Sequence, residues 1–340
     1  MPGIAFGGET RKHGLLMEAP VKIGMVGCGG MGNAHVQAVL RNPAFELVAV
    51  CDVNPAAFEK VPGGVPRYDD AGEMFRKHPM EMATLVLPNY LYEPTVELAA
   101  RHGVNVLCEK PLGRDLASCR RIVETAREHG IRGWVSSQRK YLPHFVAARE
   151  RLSKLSVDFV SVVFTYYWAP AFAAMGWRGD RQKSGGVAVI DSGWHVFDAL
   201  LWLMGQPESV FAQLCASRKV PDIDEKAAIQ MRYPTGTLAN LTIGYTVPKN
   251  TFEFLFTDQE KAISITYEAM EYFEGGKLIE TVAPKESLDV MDAMYGVLLT
   301  AVRKTDPAPY LTTLEQAEQI MTVIDACYCS AESGQLVKLK

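Results

Sequence analysis

The 340-residue sequence predicts an α/β chain in two parts: a doubly wound parallel sheet, then an α+β unit with an open, mostly antiparallel sheet. Three observations predict it. A glycine-rich turn joins an apolar strand to a helix near the start. Apolar runs and amphipathic stretches then alternate to about residue 138. Beyond residue 140 the texture becomes β-rich with period-two alternation.

Residues 1–20 carry Gly7-Gly8 and Arg11-Lys12-His13 without an apolar core, and read as a mobile extension rather than a leader peptide. The apolar run from Val21 enters Gly27-x-Gly29-x-x-Gly32, and a helix is expected over 33–41. Gly27 suits a tight turn, Gly29 lets the backbone approach a pyrophosphate, and Gly32 lets helix and strand pack closely. Gly30 and Met31 complete the loop, whose N–H groups would face the phosphates at the positive end of the helix. Asp52 ends a second strand (45–51), twenty residues past Gly32, where a ribose-binding carboxylate belongs. Together these point to a dinucleotide.

Further strands are expected at 82–87, 104–108 and 131–136, with helices at 55–60, 70–77, 92–102 and 115–129. Ligands bind such sheets at the carboxyl ends of the strands. Pro88-Asn89 follows strand three, where the amide could reach the ribose or carboxamide of the cofactor or simply open a loop. Strand four ends in Glu109-Lys110-Pro111, beside the expected nicotinamide. Lys110 could hold a substrate hydroxyl there, and Pro111 could aim it through a rigid turn. A surface salt pair is the competing reading.

The second part is expected to span 139–340, with 21–138 as the dinucleotide-binding domain. A helix near 144–155 precedes strands at 157–168, 209–217, 226–233, 237–246, 251–257, 261–267 and 277–282. Late helices are expected near 287–304 and 312–332. One helix is expected from Asp191 to Met204, apolar almost all round, with Asp191, His195 and Asp198 on one stripe. Buried polar groups on a stripe need partners, either a sugar's hydroxyls or each other, and histidine titrates in the range useful for proton transfer. The competing reading makes Asp191 or Ser192 an N-cap and His195 a satisfied core histidine. Tyr166, Tyr167, Trp168, Trp177 and Arg178 crowd the stretch before Gly185-Gly186. They could bind a sugar ring and its hydroxyls or carboxylate, or merely pack.

A net charge of −4 argues against a large nucleic-acid footprint. No apolar run is read as approaching the roughly 18–20 residues of a membrane span. Seven scattered cysteines without a Cys-x-x-Cys pair read as reduced cytoplasmic thiols with no structural zinc. A metal site from His195 and the two aspartates is the weaker alternative, and none is expected.

Gly27-x-Gly29-x-x-Gly32, Glu109-Lys110-Pro111 and Ser184-Gly-Gly186 followed by Asp191-x-Gly-x-His195, in this order, resemble the glucose–fructose oxidoreductase / inositol dehydrogenase (Gfo/Idh/MocA) family. The likeness runs from about residue 20 to the end. It implies an N-terminal Rossmann domain, a C-terminal open-sheet domain forming homodimers or homotetramers, and NAD(P)-dependent chemistry on a sugar, cyclitol or polyol hydroxyl. It also implies a catalytic cluster of Lys110, Asp191 and His195, with His195 the acid/base, Lys110 bridging cofactor and substrate, and Asp191 binding or orienting. Where the family often has a histidine after the Pro-Asn step, this chain has Tyr92.

Asp52 should accept from both ribose hydroxyls and repel a 2′-phosphate, and Val53-Asn54-Pro55 offers no arginine, so NAD is expected over NADP. Two other functions remain open. One is retained-NAD chemistry that cleaves a glycosidic bond or epimerises a centre. The other is a non-catalytic dinucleotide sensor, which would have no need of the proton-transfer cluster.

Overall fold

The computed structural model describes residues 19–168, 175–284, 289–304 and 310–339. The expected N-terminal extension lies almost wholly outside them. The first part runs β1 (Val21–Val26), α1 (Gly30–Arg41), β2 (Phe45–Cys51), β3 (Arg67–Tyr68), α2 (Ala71–Lys77), β4 (Met82–Leu85), α3 (Tyr92–Arg101), β5 (Asn105–Cys108), α4 (Leu116–Glu128) and β6 (Gly133–Val135). The second begins with α5 (Pro143–Leu152), β7 (Phe159–Tyr167), α6 (Arg181–Ser184) and α7 (Gly193–Met204). Then come β8 (Ser209–Ala216), β9 (Asp224–Arg232), β10 (Leu238–Gly244), β11 (Thr246–Thr257), β12 (Lys261–Thr266), β13 (Met270–Glu274) and β14 (Lys277–Val282). The chain closes with α8 (Val290–Arg303), β15 (Thr312–Thr313), α9 (Leu314–Ser333) and β16 (Val337–Lys338).

The first sheet has the order β15-β6-β5-β4-β1-β2-β3, parallel except for the edge strand β15. This is the order of a doubly wound dinucleotide-binding sheet, and its switch point lies between β1 and β4. The carboxyl ends of β1, β2, β4 and β5 therefore share one edge, which carries the Gly27 turn, Asp52, Pro88-Asn89 and Glu109-Lys110. The second sheet has nine strands, β14-β13-β12-β11-β7-β10-β9-β8-β16, antiparallel except where β7 pairs β10. Helices cover one face. Along β9 the alternation leaves Ala228, Gln230 and Arg232 on the other, exposed face. The second part also completes the first: β15 extends the Rossmann sheet and α8 lies against α1.

Differences from the sequence reading have local causes. Helix α1 starts at Gly30, three residues early, because the N–H of Asn33 already bonds to Gly29 O at 2.7 Å. The stretch 55–60 is only a 3₁₀ turn, Pro55–Phe58. Strand β3 is two residues long and too short for periodicity to reveal. Strand β13 was not expected, yet Gly275 and Gly276 both have positive φ (55° and 75°), as a tight β13–β14 hairpin requires. The helix expected from Asp191 begins at Gly193 and is preceded by a π-wound turn, Ala188–Ser192. Counted through its irregular turns, the helical run Arg181–Met204 is long and apolar enough in composition to cross a membrane, contrary to the sequence reading. Two thirds of its most apolar window (67%) is buried in the protein's own interior, as in a core helix.

Candidate active site

A cleft of about 530 Å³ opens where the carboxyl edge of the first sheet meets the second part of the chain. Gly29–Gly32 and Val86–Asn89 line one side, Glu109 and Lys110 the floor, and Tyr166, Trp168, Trp177, Arg178, Asp191 and Tyr245 the other side.

The glycine loop is shaped by contacts no side chain would permit. Gly27 has φ +88°, and a Cβ there would stand 2.0 Å from Val86 O. A Cβ on Gly32 would stand 2.0 Å from Gly27 O, so α1 can approach β1 only without one. At Gly29 and Gly30 a Cβ would meet nothing within 4 Å: these two border open space. No side chain caps α1 and no acid occupies its first turn, while Asn33 Oδ1 is buried without a hydrogen-bond partner among the described residues. An uncapped helix N-terminus beside open glycines fits a pyrophosphate. Asp52 stands at the end of β2, its carboxylate accepting from Cys28 N at 2.7 Å and Asn54 N at 2.8 Å, which ties the glycine loop to the ribose-side loop.

Lys110 follows β5 and enters a cis peptide to Pro111. Its ammonium donates to two oxygens of one residue, Asp191 Oδ1 at 2.6 Å and Asp191 O at 3.0 Å. Arg178 Nε lies 3.6 Å from Asp191 Oδ2, with its guanidinium 4.5 Å from the Trp177 ring centre. Burial works against the Asp191 carboxylate, but the charges of Lys110 and Arg178 outweigh it and hold its pKa below the usual range.

His195 lies one turn beyond, half-buried, with its ring edge-on to Phe164 at 6.3 Å. Burial, then the charges of Lys110 and Arg139, push its pKa well below the ordinary value, so the imidazole is neutral at pH 7. Asp198, the third member of the expected stripe, is elsewhere. It is buried with Lys140 Nζ at 2.8 Å, Thr312 Oγ1 at 3.0 Å and the Ser137 hydroxyl, and joins the two parts of the chain. The π-wound turn ends at Ser192, so it alters only the winding between Asp191 and the helix, while His195 and Asp198 stand three apart within α7.

Glu109 lines the floor, but its carboxylate turns inward. It meets His35 Nε2 at 3.0 Å, and His35 Nδ1 meets the Tyr295 hydroxyl at 3.0 Å, itself 3.1 Å from Thr84 Oγ1. Burial opposes the carboxylate, yet His35 and Lys110 hold its pKa down. The amide of Asn89 donates to Ser184 O at 2.8 Å, tying the β4 loop to α6. Tyr92 is fully buried, its hydroxyl accepting from Leu87 N at 3.3 Å. Of the aromatic group, Tyr166, Trp168 and Trp177 border the cleft, whereas Tyr167 points to the opposite face of β7 and is exposed.

The sequence reading did not anticipate Tyr245, His35, Tyr295 or Asp224 near this site. His35 had a signal: with Val39 four residues on, it falls on the buried face of α1. The others come from distant strands and helices and have none. Among the described residues no group of three or more His, Cys, Asp or Glu is placed to hold a metal ion.

A dinucleotide-binding sheet, a glycine-lined cleft at its switch point and a covering second domain define a two-domain dinucleotide-binding protein. Residues 21–137 match the oxidoreductase family with an NAD-binding Rossmann fold, and 156–264 match the GFO/IDH/MocA C-terminal domain. The chain belongs to the Gfo/Idh/MocA family. It is 29% identical over 191 residues to the rhizopine catabolism protein MocA of Rhizobium meliloti, covering 56% of this chain and 59% of that protein, so the match spans just over half of the relative's length. It is 23% identical over 332 residues to a D-xylose 1-dehydrogenase (NADP(+)) of Haloferax volcanii, covering 93% and 99%. The aldose-aldose oxidoreductase of Caulobacter crescentus, solved with glycerol, superposes with a TM-score of 0.83 at 20% identity, covering 94% and 100%. That likeness is one of fold.

Proposed function

We propose that this chain moves a hydride between a secondary hydroxyl carbon of a sugar, cyclitol or polyol and a nicotinamide dinucleotide, with NAD preferred. The observation that carries this reading is the Lys110 ammonium held by two oxygens of Asp191 on the floor of the cleft bordered by Gly29–Gly32. When bound, the nicotinamide supplies the hydride acceptor. Lys110 donates a hydrogen bond to the substrate hydroxyl and fixes its distance from Asp191. Neutral His195 takes the hydroxyl proton as the C–H electron pair leaves that carbon. Gly27, Gly29, Gly30, Met31, Gly32, Asp52, Pro88, Asn89, Glu109 and Lys110 form the cofactor side. Lys110, Trp177, Arg178, Asp191 and His195 form the substrate side. The relatives' names, a D-xylose dehydrogenase and an aldose-aldose oxidoreductase, support a carbohydrate hydroxyl as substrate.

The test is near-ultraviolet absorbance of reduced nicotinamide, with NAD and NADP each supplied against inositols, hexoses, pentoses and sugar acids. A rise with one subclass supports the reading. Silence across the panel from folded protein that binds NAD removes it.

Replacing His195 with alanine should abolish most turnover, about 10²- to 10⁴-fold, and leave NAD affinity unchanged. Stopped-flow turnover equal to the wild type would take His195 out of the chemistry. NAD preference rests on Asp52 and the lack of arginine at 53–55. Asp52→Ala should weaken NAD by about 10- to 100-fold and narrow its margin over NADP, since two charge-assisted ribose contacts are lost. Titrating both cofactors against the wild type checks the premise, and tighter NADP binding overturns it. The H. volcanii relative, named as NADP-dependent, makes that titration informative. We further propose a cytoplasmic protein, as seven free cysteines suit a reducing compartment, and a homodimer or homotetramer formed through the exposed face of the second sheet.

A further inference from the structure

The turn that presents Asp191 has no cap of its own. Gly185 and Gly186 reverse the chain at φ +81° and +135°, and the helical run then starts at Ala188 with no local side chain on its free N–H groups. The winding is wide: Asp191 N and Ser192 N both bond to Val187 O, at 3.1 and 3.0 Å. A carboxylate from a distant strand supplies the missing acceptors. Asp224, at the start of β9, takes Val187 N on Oδ1 at 2.8 Å and Val189 N on Oδ2 at 2.7 Å, and the Tyr328 hydroxyl of α9 donates to Oδ2 at 3.2 Å.

We propose that Asp224, steadied by Tyr328, is a positioning residue of the active site: it holds the Val187–Ser192 turn so that both Asp191 Oδ1 and Asp191 O meet the Lys110 ammonium.

Three observations carry this beyond ordinary helix capping. The main-chain oxygen of Asp191 is itself a ligand of Lys110, so the placement of the turn's backbone, and not only a rotamer, sets the lysine. The clamp accounts for Gly186, whose Cβ would stand 2.1 Å from the Tyr328 hydroxyl oxygen and 2.6 Å from Asp224 Oδ1. Asp224 is 3% exposed and forms no ion pair with a described residue, a costly way to cap a helix that Ser or Asp within the turn could cap locally. Burial raises its pKa against the opposing pull of the two backbone N–H groups. Its phase on β9 explains why the sequence hid it: a register shift opposite Cys215 and Ala216 puts Asp224 inward, out of step with Ala227, Ile229 and Met231.

The kinetic consequence rests on the dehydrogenase reading, whereas the geometric one does not, so the test reads both. Full-length wild type, Asp224→Asn, Tyr328→Phe and, as reference, Asp191→Asn are treated with acetic anhydride at one pH, and labelling of Lys110 is measured by mass spectrometry against exposed lysines. NAD affinity is measured alongside, with turnover on whichever panel substrate the wild type oxidises. Asparagine presents an N–H to one of the two backbone donors, so Asp224→Asn should raise Lys110 labelling in the direction of Asp191→Asn. It should also lower kcat by about 10²-fold, the cost of a misplacement near 1 Å, at unchanged NAD affinity. Tyr328→Phe should act in the same direction but less. Its ring borders an open cleft of about 430 Å³ and the change removes a single hydroxyl, so this variant serves if Asp224→Asn does not fold. A lower melting temperature with unchanged Lys110 labelling and unchanged kcat would overturn the proposal and leave Asp224 a structural cap. Raised labelling in a protein whose wild type oxidises nothing would support the positioning and remove the dehydrogenase reading instead.

Discussion

Lys110→Met should lower turnover by about 10³-fold while the protein still folds and binds NAD. The substitution keeps the length of the side chain but removes the ammonium that donates to Asp191 Oδ1 and Asp191 O. Asp191 is then left with Arg178 at 3.6 Å as its cation, and the substrate hydroxyl loses its positioning donor. A second effect has a fixed sign. The charge of Lys110 is one of the forces that keep His195 neutral, so its removal should raise the imidazole pKa and move the acid limb of the kcat/KM profile to higher pH. Turnover close to that of the wild type, or an acid limb that stays put, would take Lys110 out of the role assigned to it. Because the pair is largely buried, at 19% and 17% side-chain exposure, and only Arg178 is left to offset the Asp191 carboxylate, the variant should also lose stability, read as a lower melting temperature.

Gly27→Val should destroy dinucleotide binding outright. The position has φ +88°, and its Cβ would overlap Val86 O at 2.0 Å, so β1 and the loop after β4 would have to separate. Positive φ on a β-branched residue and the overlap together cost about 3 kcal/mol or more. The displaced loop takes with it the N–H groups that face the phosphates. Calorimetric titration with NAD should give no measurable heat, and the melting temperature should fall by several degrees. Gly29→Ala separates the two effects, because its Cβ meets no protein atom within 4 Å. That variant should keep its stability and lose affinity, through a methyl placed where the pyrophosphate would lie. Retained affinity in Gly29→Ala would place the phosphates elsewhere.

The dinucleotide-binding half was legible because its signals are local. Hydrophobic runs mark parallel strands buried on both faces, and the loop glycines recur at a fixed short spacing, although the atom that excludes a side chain from Gly27 is Val86 O, on the loop after β4. Lys110 and Asp191 could be singled out from their places at a strand end and after a glycine pair. What misled was the assumption of regular winding. Reading Asp191–Met204 as one helix put Asp191, His195 and Asp198 on a single stripe, whereas Asp191 sits in a wide turn ending at Ser192 and borders the cleft, and Asp198, within the regular helix, pairs with Lys140 in the core. Glu109 was expected at a strand end beside the nicotinamide; it lines the cleft, but its carboxylate faces His35, a partner 74 residues away in sequence.

The sequence by itself determined the two-part architecture, the glycine-rich loop and the types of residue available at the cleft, since strand periodicity, glycine spacing and side-chain chemistry all reside in short stretches. Only the tertiary structure decided which of those residues meet. The Lys110–Asp191 contact joins positions 81 apart, and the Asp224 clamp reaches 35 and 37 residues to the turn that makes the contact possible. The physical reason is that a buried polar group takes whichever partner the packing of distant elements brings within about 3 Å, and no local pattern encodes that choice.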